Sequence, residues 1–188
     1  MSRLPPVDEA ATEKLFGEIA RSRGWVSNLL RSLAHSPEGL ACLQQVGHFG
    51  RYQTKLTERE RELCIMITGR NVPYAWTHHA PLGRQVGITE AQASALKQGA
   101  VPEGLSAAEA ALCAYCFAFT GFAGVPDDCM ARLQEHYSSR QITDISILCA
   151  YYLAMGSIII GLKVETETPE VLQIEIDWQR KKLEEAGG

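Results

Sequence analysis

At Thr57 with Glu60, Thr89 with Gln92, and Ser106 with Glu109, this chain sets a serine or threonine three residues ahead of a glutamate or glutamine, just before an apolar run. Each pair is a capping box, in which two side chains satisfy backbone N–H groups that a helix start leaves without partners. A chain punctuated this way is built from helices. Apolar residues recur at helical spacing through the rest of it. Asp8 opens a stretch with Leu15, Phe16 and Ile19 that Gly24 ends, and Trp25 to Ala34 follows, broken at Ser36-Pro37. A third helix runs from about Glu38 to Tyr52, with Gly47 and Gly50 leaving its end open. Tyr74 to Val86 is closed by Gly87, and Pro81 within it predicts a kink or a second start. Pro126-Asp127 opens the helix of Met130 and Leu133, Gln141 to Lys163 is a long apolar helix, and Pro169 opens a last amphipathic one. The only conspicuous β-branched run, Ile158 to Ile160, lies inside a helical pattern. The expectation is an all-α bundle of about eight or nine helices forming one domain over residues 1–188.

A formal net charge of −4 leaves no basic face for nucleic acid. The opening residues carry no apolar run of signal-peptide length, and most of the six cysteines fall inside apolar helical patterns. They read as reduced, buried side chains of a cytoplasmic protein. Ile145 to Leu162 is uncharged and close to membrane-spanning length, but it contains Ser146, Tyr151, Tyr152, Gly156, Ser157 and Gly161 and lacks a basic flank. A core or subunit-interface helix is the better reading, with no membrane partner. Because this helix is apolar around its circumference, a second subunit is expected to cover part of it.

The densest group of chemically capable residues is Tyr74-Ala75-Trp76-Thr77-His78-His79, with Glu58, Glu60 and Glu62 one helix earlier. Histidine exchanges a proton near neutral pH, and a carboxylate bonded to one ring nitrogen fixes the tautomer and strengthens the other nitrogen as a base. Two helices joined by a short turn bring Glu62 or Glu60 towards His79, and Trp76 shares a helix face with it. Taken alone, the pair reads better as a surface His78 beside a His79 that caps a helix or fills a core gap. His48, between Gly47 and Gly50, is the second candidate histidine. One hydroxyl of the Tyr151-Tyr152 pair is a candidate proton donor. Cys113-x-x-Cys116 sits about two turns into its helix, away from the N-terminus that would activate a thiol, and reads as structural. Cys113, Cys116, His78 and His79 are zinc-ligand types but lack the second close pair that marks such sites, so no metal is expected.

The stretch Leu56 to Leu63, then Tyr74-x-Trp76-x-x-His79 and Gly87, then Leu105-Ser-x-x-Glu109, Arg140-Gln141-x-x-Asp144 and Tyr151-Tyr152, resembles the carboxymuconolactone decarboxylase family over about residues 25–165. The resemblance implies the all-helical fold of alkylhydroperoxidase D, assembly as trimers or hexamers, and a pocket lined by His79. The peroxidase branch carries a Cys-x-x-Cys ahead of its histidine; the matching positions here are Val72 and Ala75, so disulfide chemistry has no thiols at that place. Many other members have Glu-Tyr-Glu-Trp where this chain has Pro73-Tyr74-Ala75-Trp76. Glu62 also precedes His79 by fewer residues than the family usually has, which leaves Glu60 and Glu62 both open as partners.

These readings lead to a cofactor-independent lyase or isomerase acting on a small carboxylated or enolisable molecule. His79, Glu62, Glu60 and His48 are its catalytic candidates, and Tyr74, Trp76, His78 and Tyr152 its substrate-binding ones. A thiol peroxidase using Cys113 and Cys116, or an oligomeric small-molecule-binding protein without catalysis, are the other readings.

Overall fold

A computed structural model describes residues 2–187. Among the described residues there are ten α-helices and no strand: α1 Glu9–Arg23, α2 Asn28–Leu33, α3 Pro37–Tyr52, α4 Glu58–Gly69, α5 Pro73–Gln85, α6 Glu90–Gln98, α7 Ala107–Thr120, α8 Asp127–Gln134, α9 Ser139–Leu162 and α10 Pro169–Gly187. All three capping boxes form with both of their hydrogen bonds, at the starts of α4, α6 and α7. Gly99 closes α6 in the left-handed conformation (φ +84°), which costs a residue without a Cβ little.

α3 runs through Gly47 and Gly50 and ends at Tyr52, as read from the sequence. One expectation changes: α5 runs as one helix through Pro81 without a second start, because tertiary packing outweighs local propensity there. α5 buries Tyr74, Ala75, His78, His79, Ala80, Leu82 and Gly83, a face broad enough to hold it helical despite the missing N–H.

The chain divides into two compact units, residues 1–44 with 158–188, and residues 45–157. In the first, Phe16, Ile19, Leu30, Ala34 and Leu40 form the core. There the Glu167 carboxylate accepts from the Asn28 N–H at the start of α2 (2.6 Å), and the Trp178 ring comes so close to Gly24 that a Cβ there would stand 2.8 Å from it. The second holds the larger core, built on Leu63 to Ile67 of α4, Leu112, Cys113 and Cys116 of α7, and Ile145, Leu148 and Cys149 of α9.

α9 is long and apolar enough to cross a membrane by length and composition alone. Its Asp144 is buried, accepting from the Lys55 N–H (2.9 Å) and from Arg140 (2.8 Å), and Ile145, Leu148 and Cys149 are fully buried. This is a packing helix of the bundle. Within one chain it is covered on one side only: Ile147, Ala150, Ala154 and Ser157, at helical spacing, are exposed.

Candidate active site

The candidate site lies wholly within residues 45–157. Its frame begins with the two glycines of α3. A Cβ on Gly47 would stand 2.5 Å from the Tyr151 hydroxyl, and one on Gly50 would stand 3.0 Å from Leu148 Cδ1. The end of α3 therefore lies closer to α9 than a larger residue would allow without a shift of Tyr151 or Leu148. Arg51, one helical turn beyond Gly47, is thereby aimed at Glu62 of α4. Its Nη1 donates to Glu62 Oε1 at 3.1 Å.

The other oxygen of the same carboxylate faces α5. Only Arg70, Asn71 and Val72 separate α4 from α5, and Pro73 occupies the first helical position, where its missing N–H costs nothing. This short connection folds α5 back on α4. His79 Nδ1–H donates to Glu62 Oε2 at 3.0 Å. Glu62 is 2% exposed and His79 9%. The Tyr152 ring meets the imidazole edge-on, with centroids 5.3 Å apart at 85°, and Tyr151 meets Tyr152 in the same way at 5.3 Å.

Burial alone would raise the Glu62 pKa. The charge and hydrogen bond of His79, helped by the charges of Arg51 and Arg61, outweigh it and hold the carboxyl below its ordinary value. Burial drives the Tyr152 phenol well above its ordinary range, against the lowering charge and hydrogen bond of Arg51. At neutral pH the site thus combines an ionised carboxylate between two basic side chains with a protonated phenol. With Nδ1 committed to Glu62, proton exchange falls to Nε2 of His79.

The remaining sequence candidates lie elsewhere. Glu60 is the third residue of α4; its Oε2 accepts from the Thr57 N–H, and its Oε1 accepts from the Tyr137 hydroxyl at 2.8 Å. Of the two glutamates the sequence left open, Glu62 is the one bonded to His79. His48 is exposed on α3 with its ring near Tyr52, and makes no hydrogen bond or ring contact with the Glu62–His79 pair. His78 is not a surface residue: it is buried and stacked on Tyr74, with centroids 4.4 Å apart at 23°. Trp76 is half-buried and carries the Lys97 ammonium over its ring at 4.6 Å, so the ring beside the imidazole is that of Tyr152. Val72 and Ala75, at the positions where a peroxidase would carry thiols, are both buried apolar residues. Cys113 and Cys116 are buried as well, and burial pushes the Cys113 thiol up to about 12.

Arg51 is the site residue that sequence reasoning missed. Its signal was present: a basic residue four positions after Gly47 shares that glycine's close-approach face.

No protein-family model and no curated protein matches the chain. Solved structures do. An uncharacterized peroxidase-related protein with an alkylhydroperoxidase AhpD core, from Ralstonia eutropha JMP134, superposes with a TM-score of 0.77 over 93% of this chain and 96% of its own, at 17% identity. An uncharacterized peroxidase-related protein from Silicibacter sp. TM1040 gives 0.75 over 89% and 92%, at 18% identity. A variant of the debrominase Bmp8, in complex with 2,3,4-tribromopyrrole, gives 0.75 over 94% and 100%, at 15% identity. At these identities the likeness establishes the fold, and the chain has the all-α alkylhydroperoxidase D-like fold that its sequence resemblance implied.

Proposed function

We propose that this chain is a cofactor-independent enzyme working by general acid–base chemistry on a small carboxylated or enolisable organic molecule, with His79 moving the proton. The observation that carries the reading is the buried hydrogen bond between His79 Nδ1 and a Glu62 carboxylate that Arg51 also holds. An imidazole oriented in this way presents Nε2 as a base when neutral and as an acid when protonated. In a decarboxylation, loss of carbon dioxide leaves an enolate-like carbanion, and Nε2–H returns a proton to carbon. In an isomerisation, neutral Nε2 takes a proton from the carbon next to a carbonyl and gives it back at another position. Both routes build negative charge on oxygen, which needs a donor in place beforehand. The Tyr152 phenol is suited to that role, because its raised pKa keeps the proton on and the nearby Arg51 charge polarises it. Tyr74, Trp76 and His78 are left as substrate-side candidates. Glu60 and His48 have no part in this scheme. That Bmp8, a protein of this fold, is described in complex with a bromopyrrole supports a small organic substrate. Decarboxylase or other lyase activity is the finer reading, and it draws on the sequence resemblance.

The test is to incubate purified protein with a panel of small acids and lactones in heavy water, following carbon dioxide release and C–H exchange. Turnover of a panel member is expected, lower by about a hundredfold or more in His79→Ala. Near-wild-type turnover in the folded variant removes His79 from the mechanism. Binding without turnover, indifferent to the substitution, favours a non-catalytic binding protein.

A further inference from the structure

Three helices each send one cysteine to the same point of the larger core. Cys64 of α4, Cys116 of α7 and Cys149 of α9 are all fully buried. The Cys149 and Cys116 sulfurs are 3.5 Å apart, those of Cys116 and Cys64 3.6 Å apart, and all three sulfurs lie within 4.8 Å of one another. The sequence offered a different pairing, Cys113 with Cys116, but among the described residues Cys113 is outside this group. Buried cysteine as a small apolar filler explains each residue singly. It gives no reason for three sulfurs from three helices to converge.

A shared ion does. With a metal–sulfur bond of about 2.3 Å, three thiolates around one centre stand about 3.5–4.0 Å apart, and the two short edges here already have that length. Two further facts narrow the ion. No fourth donor joins the trio among the described residues, which disfavours the closed tetrahedron of structural zinc. All three cysteines are fully buried among apolar side chains, where an anionic complex is costly. In so apolar a place the neutral adduct is favoured. Three thiolates are neutralised by a trivalent centre, and soft ligands select thiophilic ones.

We propose that Cys64, Cys116 and Cys149 form a three-thiolate site for a thiophilic trivalent ion, arsenite being the form met in water. The reaction is a condensation, As(OH)3 with three thiols giving As(S-Cys)3 and three waters. Three As–O bonds are replaced by three As–S bonds, each thiol proton leaves with a hydroxide, and arsenic stays trivalent, so no oxidant or reductant takes part. The ion ties α4, α7 and α9 together and stabilises the folded chain, because the unfolded chain does not hold the three sulfurs in one place.

The experiment refolds the reduced full-length chain with arsenite, removes the excess, and measures bound arsenic by native mass spectrometry and its neighbours by X-ray absorption. The expected result is one arsenic per chain with three sulfur neighbours and a raised unfolding midpoint. Cys64→Ala, Cys116→Ala and Cys149→Ala should each lose it, and Cys42→Ser and Cys113→Ala should keep it, with circular dichroism confirming the fold of every variant. The absorption measurement on the wild type decides the matter even if a core variant fails to fold. No retained arsenic, two sulfur neighbours instead of three, retention by a folded Cys149→Ala chain, or zinc held as firmly as arsenite would each overturn the proposal.

Discussion

Replacing Glu62 by glutamine probes the centre of the candidate site with almost no change of shape. The carboxylate is 2% exposed and accepts one bond from each side, from His79 at 3.0 Å and from Arg51 at 3.1 Å. An amide keeps one acceptor and turns an NH2 towards the other partner: Arg51 cannot accept it, and His79 Nδ1 accepts it only by moving its proton to Nε2, so the present pair of bonds is lost either way. The substitution also removes the charge that offsets Arg51, whose side chain is only 14% exposed. Breaking a buried ion pair from one side costs about 3–5 kcal/mol. At least one bond survives here and Arg51 keeps some water, so the lower end applies, about 3 kcal/mol. Urea unfolding at neutral pH, followed by circular dichroism, reads this directly. With a slope of about 2 kcal/mol per molar urea, the midpoint should fall by about 1.5 M with the slope unchanged. Glu60→Gln is the matched control. Glutamine's one oxygen serves the capping box and its NH2 donates to the Tyr137 oxygen, which can also accept, so the cost should stay below about 1 kcal/mol. A loss below about 0.5 kcal/mol in Glu62→Gln would falsify the claim that this carboxylate is held by His79 and Arg51.

Because the Glu62 pKa is lowered on folding, its contribution is present above the ordinary carboxylate range and is lost as pH falls through the folded value. Acid unfolding curves should show the wild type losing more stability below about pH 4.3 than Glu62→Gln, and parallel curves would contradict this. Gly47→Ala puts a methyl 2.5 Å from the Tyr151 hydroxyl and should cost about 1–3 kcal/mol in urea unfolding. Gly161→Ala, which meets nothing within 4 Å on α9, should instead gain about 0.5–1 kcal/mol, and equal effects at the two positions would refute the packing argument. The exposed stripe of Ile147, Ala150, Ala154 and Ser157, apolar but for the serine, is expected to be covered by further copies of the chain, as a trimer or a dimer of trimers. Light scattering should then give a mass well above 20.7 kDa that falls in Ile147→Glu, and a monodisperse wild-type monomer would sink this.

Whatever depends on neighbours three or four residues apart was legible in the sequence. The boxes at Thr57, Thr89 and Ser106 form as their spacing requires, and Gly99 ends its helix, because caps are local chemistry. The all-α class followed from such signals, and His79 was legible as a candidate from its surroundings on one helix.

Choices between positions on facing helices were settled only by the tertiary structure. Glu60 and Glu62 are equivalent in composition and two residues apart, yet two helical steps turn a side chain by about 200°. The one therefore caps α4 beside Tyr137 and the other meets His79. Arg51 reaches the site because two glycines let α3 close on α9, a contact across some hundred residues of chain: the spacing from Gly47 marks the face, and only packing decides what that face meets. Cys116 finds its sulfur neighbours 52 and 33 residues away instead of three residues back, since residues along one helix share a face but sulfurs meet where helices pack. Local spacing determines which elements form and where they end. Which side chains meet is decided by how tightly those elements pack, and for that the size of each residue at each crossing has to be read in three dimensions.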